Sequence, residues 1–190
     1  MLIFASITDN RPGPPRLVID DDLMIRVAEG DQEAFSTLYT LAGKSIYAYA
    51  LSILKNPEDA EDILQDTFLK VRSAASLYQS PGNVLAWILT ISRNLCLMKL
   101  RRRKFISSQP LEELSVTSTF HQIGDLEDRI VLQTALQCLS EEECQIIILH
   151  AVTGWKHREI AELLHLPVPT ILSKYHRGIK KLKAKLEGKL

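Results

Sequence analysis

The chain has 190 residues, 46% hydrophobic and 24% charged: enough apolar material for one medium core or two small ones, and too much for a disordered chain. Its formal net charge is zero, so the total favours neither a polyanion nor a polycation as partner. The LIFASI run near the start is too short for a signal-peptide core and is followed by Asp9, Asn10 and Arg11, and no apolar stretch is long enough to span a bilayer, which argues against membrane insertion and for the cytoplasm.

Residues 1–19 include Arg11-Pro-Gly-Pro-Pro-Arg16, a run that resists helix and strand, and are expected to form a flexible leader. From Asp20 to Lys104 the apolar spacing is helical almost throughout. Asp31 is placed to cap one helix. Asn56-Pro57-Glu58-Asp59 starts another, with Asn at the N-cap, Pro at the first helical position and acids in the first turn. Charge is segregated in this half: Asp20 to Asp66 carries 11 acids against 3 bases, whereas Lys99 to Lys104 holds five bases in six positions. Solvated helix faces would account for such blocks, and so would an electropositive protein against the acids and a polyanion against the bases.

On a wheel at about 100° per residue, Ala60, Ile63, Leu64, Thr67, Phe68 and Val71 form the core stripe of the helix after Asn56, and Asp62, Gln65, Asp66 and Leu69 gather on the opposite face. A leucine turned outward among acids is either a binding feature or one more exposed apolar side chain.

Ser80-Pro81-Gly82-Asn83 breaks the chain before a long helix ending at the basic cluster. Val84, Trp87, Ile88, Ile91 and Leu95 make one apolar stripe there, and Leu89, Cys96 and Leu100 a second, so this helix is expected at the centre of its bundle. Thr90, Asn94 and Arg101, flanked by Arg93, run between the stripes: groups suited to DNA backbone and base edges. A helix C-terminus attracts cations without any partner, but five bases exceed what that requires.

Residues 105–124 lose the helical period, are rich in Ser and Thr, and read as a flexible linker. A second helical block follows over 125–190. Ser140-Glu-Glu-Glu143 is a capping box, and Gly154 ends the helix it opens. Lys156 to Leu164 is a short helix with Ile160, Ala161 and Leu164 inward; the turn is His165-Leu166-Pro167; a longer helix from about Pro169 to Leu186 buries Ile171, Tyr175, Ile179, Leu182 and Leu186. Thr170, Ser173, His176, Arg177, Lys180 and Lys181 face out. This is the layout of a helix-turn-helix with a basic recognition helix, or of an ordinary helical hairpin with a basic tail. No run alternates with strand period, so the protein is expected to be all-α, as two small helical domains.

Enzymatic chemistry finds no support. The five histidines and three cysteines show no zinc-ligand spacing, no Gly-rich phosphate loop is present, and the acidic pairs fit helix starts or exposed faces, so no cofactor or metal is expected. Cys96, Cys138 and Cys144 are expected as buried thiols in a reducing compartment.

Four stretches in order, GDQEAFSTLY (30–39), NPEDAEDILQDTFLKV (56–71), AWILTISRNLCLMKLRR (86–102) and LSEEECQIIILHAVTGWKHREIAELLHLPVPTILSKYHRGIKKL (139–182), resemble the extracytoplasmic-function group of sigma-70 factors, which keep only sigma region 2 and sigma region 4. The resemblance covers Asp22 to Leu186. It implies region 2 at 20–104 and region 4 at 125–190, with RNA polymerase core, promoter DNA and an anti-sigma factor as partners. Asp62, Gln65, Asp66 and Leu69 would dock on the polymerase clamp coiled coil. Leu77 to Asn83 would take a flipped base of the minus-ten element, with Arg93, Asn94, Arg101 and Arg102 on the DNA around it. Thr170, Ser173, Lys174 and Arg177 would read the minus-thirty-five element.

The chain departs from the family at Met98, where Asp is usual, at Leu172, usually basic, and at His165 and Pro169, often Gly. Leu172 would pack inward or touch a thymine methyl. Two other readings remain: a helix-turn-helix regulator acting without polymerase, and a sigma-like interaction protein that titrates polymerase or a regulator.

Overall fold

The structure, a computed structural model, describes residues 16–106 and 126–187, with the side chains of 105–106, 126–131 and 187 outside the description. Within those limits the protein is all-α, with eight α-helices and one 3-10 turn. It divides into two compact units, one within residues 18–118 and one within 119–190, the latter joined by residues 16–17. Most of the expected linker, and the leader up to residue 15, lie outside the described residues.

The first unit holds α1 (Asp21–Ala28), α2 (Gln32–Leu54), α3 (Pro57–Ala74), the 3-10 turn Ala75–Leu77, and α4 (Val84–Ile106). Each helix start is set by a short polar side chain. Asp20 accepts the Asp22 N–H, Asp31 those of Glu33 and Ala34, Asn56 that of Asp59, and Asn83 that of Ala86, each at 2.9–3.1 Å. Asp31 also pairs with Arg26 at 2.6 Å, tying the end of α1 to the start of α2. Its bonds to the Ala34 N–H and then to Arg26 hold the carboxyl below the usual range. The core is apolar and dense: Met24, Leu38, Ile46, Tyr49, Leu51, Leu64, Val84, Ile88, Leu89 and Cys96 are all buried. Ile19 joins it at 7% exposure, so the last residue of the expected leader belongs to this core.

The second unit holds α5 (Leu126–Cys138), α6 (Glu141–Thr153), α7 (His157–Leu164) and α8 (Val168–Glu187). The capping box forms as expected: the Glu143 N–H donates to Ser140 Oγ, and the Ser140 N–H to the Glu143 carboxylate at 3.1 Å. Gly154, at φ 68°, closes α6 in the left-handed conformation. His165, at φ 55°, does the same for α7, a position where a side chain costs what glycine does not. Leu17 and Arg16 belong here too. The Leu17 N–H donates to the Thr153 carbonyl at 2.9 Å, and Arg16 pairs with Glu159 at 2.5 Å.

Gly178 fixes the approach of α8 to α6. A Cβ there would lie 2.7 Å from Ile147 Cδ1 and 3.4 Å from Glu143 Cβ, so the Ile147 side chain fills the space that one at 178 would need. Cys96 and Cys144 are buried and Cys138 is half-buried, because it sits in the last turn of α5. Burial pushes the Cys96 thiol up to about 12.

Candidate protein and nucleic-acid interfaces

α3 separates its two faces cleanly. Ala60, Ile63, Leu64, Thr67, Phe68 and Val71 are buried, while Asp62, Gln65, Asp66 and Leu69 are exposed, Leu69 at 66%. Phe68 is pinned between Phe35, edge-on at 5.9 Å, and Tyr39 at 4.7 Å, which fixes the rotation of the helix and points Leu69 to solvent. The four expected docking residues therefore share one face.

The acids and bases of this unit are partly spent on each other. Lys99 Nζ lies 2.8 Å from Asp59 and 2.9 Å from Asp62, and Arg103 also pairs with Asp59. Burial pulls the Lys99 ammonium down, but the hydrogen bonds to Asp59 and Asp62 outweigh it and raise its pKa. Two of the five clustered bases thus belong to the seam between α3 and α4. Arg101, Arg102 and Lys104 stay exposed and, with exposed Thr90 and Asn94 and half-buried Arg93, form the outward basic surface of α4. Met98 sits in that helix at 47% exposure. A wheel of α4 alone could not separate these two sets of bases, because the separation depends on which neighbour lies across the groove.

Between α3 and α4, Leu77 is 73% exposed, and Gln79, Ser80, Pro81, Gly82 and Asn83 are exposed as well. Tyr78 turns inward, its ring edge-on to Trp87 at 5.7 Å.

In α8, Ile171, Leu182 and Leu186 are buried as expected, while Tyr175 and Ile179 are only half-buried. Ser173, His176, Arg177 and Lys180 are exposed and Thr170 half-exposed. Leu172 is 38% exposed, so it is available to a groove rather than packed away. Lys174 is half-buried and pairs with Glu142 at 2.5 Å; Lys181 pairs with Glu143 at 2.8 Å. Burial raises the Glu143 carboxyl, but Lys181 and the Ser140 bonds more than reverse this and lower it. Pro169 falls in the first turn of α8, where its missing N–H leaves no helical bond unmade. Lys181, expected simply to face out, and Lys174, which the resemblance assigns to DNA, both reach back to the acidic first turn of α6.

Beneath α8, His157 stacks on His150 with ring centroids 5.0 Å apart, and Tyr175 meets both edge-on at 4.6 and 5.1 Å. His150 Nδ1 lies 2.7 Å from the Trp155 carbonyl oxygen. Burial first, then the neighbouring His150 and His176, lower the His157 pKa. This aromatic group was not anticipated, since its members come from three different helices. Among the described residues no helix is long and apolar enough to cross a membrane.

Comparison with known proteins identifies the family of both units. Residues 38–106 match Sigma-70 region 2, and residues 129–182 match Sigma-70, region 4. The chain is 28% identical over 162 residues to RNA polymerase sigma factor CarQ of Myxococcus xanthus, covering 84% of this chain and 93% of that one. It is 29% identical to ECF RNA polymerase sigma factor SigM of Mycobacterium tuberculosis, over 90% of this chain and 86% of the relative. Its fold is similar to that of the sigma factor RpoE of Bartonella quintana, solved in complex with the anti-sigma factor NepR, with a TM-score of 0.66 at 24% identity over 82% of this chain and 98% of that one. With both regions matched in order, and with relatives of this kind along most of its length, the chain belongs to the extracytoplasmic-function group of the sigma-70 family.

Proposed function

We propose that this protein is the promoter-specificity subunit of RNA polymerase, acting in transcription initiation in the cytoplasm and without catalysis of its own. The reading is carried by the presence of sigma region 2 and sigma region 4 in one chain, each with an outward basic surface, together with an outward acidic face on region 2.

In this reading Asp62, Gln65, Asp66 and Leu69 seat the protein on the polymerase core. Leu69 supplies apolar contact that its own unit does not use, and the acids complement a basic partner. Arg93, Asn94, Arg101 and Arg102 hold the minus-ten DNA, Leu77–Asn83 receives a base lifted from the stack, and Thr170, Ser173, Lys174 and Arg177 read the minus-thirty-five element. Lys174 joins DNA only by leaving Glu142, so its contribution is the difference between two ion pairs. Opening then draws on binding energy from both elements and requires no bond-making. An anti-sigma factor, the kind of partner seen on RpoE, would silence the protein by covering these surfaces.

The test is run-off transcription with purified core polymerase on genomic DNA fragments. Wild type is expected to give discrete starts, and Asp66→Lys with Leu69→Ala few or none. Stable duplex binding by the free chain that is indifferent to core polymerase would select the independent regulator instead.

A further inference from the structure

One carboxylate holds the loop between α3 and α4. Asp21 Oδ1 accepts from the Tyr78 hydroxyl, and Asp21 Oδ2 accepts from Ser80 Oγ at 2.8 Å and from the Gly82 N–H at 3.1 Å. These partners lie 57 to 61 residues away in sequence. Asp21 is not needed by its own helix, because Asp20 caps α1. The Tyr78 bond, followed by that from Ser80, draws the Asp21 carboxyl below its ordinary range, so the latch is charged at any neutral pH.

The loop is shaped to close on this group. A Cβ on Gly82 would come within 2.7 Å of the Tyr78 hydroxyl oxygen and 2.9 Å of the Gln79 carbonyl oxygen, so only glycine leaves room for both bonds. The edge-on contact of Tyr78 with Trp87 anchors the same turn on α4. The inner side of the loop is thus tied at three points while its outer side, Leu77, Gln79 and Asn83, stays open to solvent.

We infer that Asp21 is a positioning residue for promoter opening, holding Leu77–Asn83 in the shape that receives an unstacked base; this rests on the role proposed above for that loop. A base entering a loose loop would have to order each residue of it at that moment, and the entropy lost would be subtracted from the energy that keeps the duplex open. With the latch in place the ordering is done on folding. Asp21 touches no DNA itself. It acts through Tyr78, Ser80 and the Gly82 amide.

The experiment uses holoenzyme reconstituted from core polymerase and the full chain, on a promoter chosen from the genomic fragments that wild type transcribes. Open complexes are read by permanganate reactivity of unpaired thymines, and core affinity and thermal unfolding are measured in parallel. Asp21→Ala is expected to lower open-complex yield on duplex promoter by about tenfold, the worth of one hydrogen bond to a charged group. Asp21→Asn keeps an acceptor oxygen and should lose less. Both should bind core as wild type does, and their deficit should narrow on a template whose minus-ten segment is already unpaired. Leu77→Ala with Gln79→Ala, neither of which bonds Asp21, tests the loop itself. Normal opening by that loop variant removes the base-trapping role and this inference with it. Impaired opening by the loop variant beside normal opening by Asp21→Ala overturns the positioning role alone, as does a loss in Asp21→Ala that extends equally to core binding.

Discussion

Lys99 places its ammonium 2.9 Å from the carboxylate of Asp62, so the basic helix α4 holds one member of the proposed docking face. The other partner of Lys99, Asp59, is buried, which makes the group a structural seam as well as part of a surface. Reversing the charge at Asp62 sets two cations against each other across α3 and α4, and the resulting loss would mix docking with stability.

A cleaner test lies about two turns along. Leu69→Ala removes an exposed side chain and should leave thermal stability within about 0.5 kcal/mol of wild type. Core-polymerase affinity should fall by more than about fivefold, the 1 kcal/mol that marks a significant interface residue. Fluorescence anisotropy with labelled protein measures the second, thermal unfolding the first. Unchanged affinity would remove Leu69 from the docking face.

Arg177 is exposed on α8. As a phosphate contact, Arg177→Ala should weaken holoenzyme binding to minus-thirty-five DNA and reduce the slope of log affinity against log salt by about 1. A weaker complex with an unaltered salt slope would mean that Arg177 reads bases or only shapes the helix.

Glu142→Gln should act in the other direction. It releases Lys174 from a pair at 2.5 Å and removes an anion beside α8. Holoenzyme binding to the same DNA should tighten several-fold, on the order of the 0.2–1 kcal/mol of an exposed ion pair, and Lys174→Met should abolish the gain. Binding that weakens on Glu142→Gln would refute the competition between Glu142 and DNA.

The second unit should lose stability in acid. Burial and the adjacent His150 and His176 keep the His157 pKa below its ordinary value. The unfolded chain, with a His pKa near 6.5, therefore takes up a proton more readily than the folded one. The sign follows: this contribution is fully present above about pH 6.5 and is lost as pH falls through the folded value. Thermal unfolding of the full chain between pH 7.5 and 5 should show the decline on helices of the second unit, and His157→Phe should flatten it. An equally steep decline in His157→Phe would assign the effect to other groups.

Gly178→Leu should destabilise by about 1–3 kcal/mol, the usual cost of overpacking. The buried Ile147 Cδ1 occupies the space that the new side chain needs. A melting temperature equal to wild type would show that α6 and α8 can part without cost.

What could be read from sequence was whatever a single helix decides for itself. The α3 stripe came out residue for residue because Asn56 fixes the start and Ile63, Leu64, Thr67 and Phe68 leave one rotation open. The caps at Asp31, Asn56 and Ser140 and the stop at Gly154 were equally local. The ion pairs of Lys99, Arg103, Lys174 and Lys181 are not legible in the sequence because their partners, Asp59, Asp62, Glu142 and Glu143, lie on other helices. Nothing near Asp21 in sequence announces Tyr78, Ser80 or Gly82 as its partners. The same limit hid the packing of His150, His157 and Tyr175, and it placed Ile19 in the leader when it belongs to the core.

Glu143 begins α6 by accepting the Ser140 N–H and grips α8 through Lys181 at 2.8 Å. Mutational drift at this codon is therefore confined twice over: glutamine can begin the helix but leaves the lysine unanswered, and aspartate is a methylene short for both duties. A lineage wishing to retune which promoters it serves has freer room at Leu172 and Ser173, whose side chains carry no such double obligation.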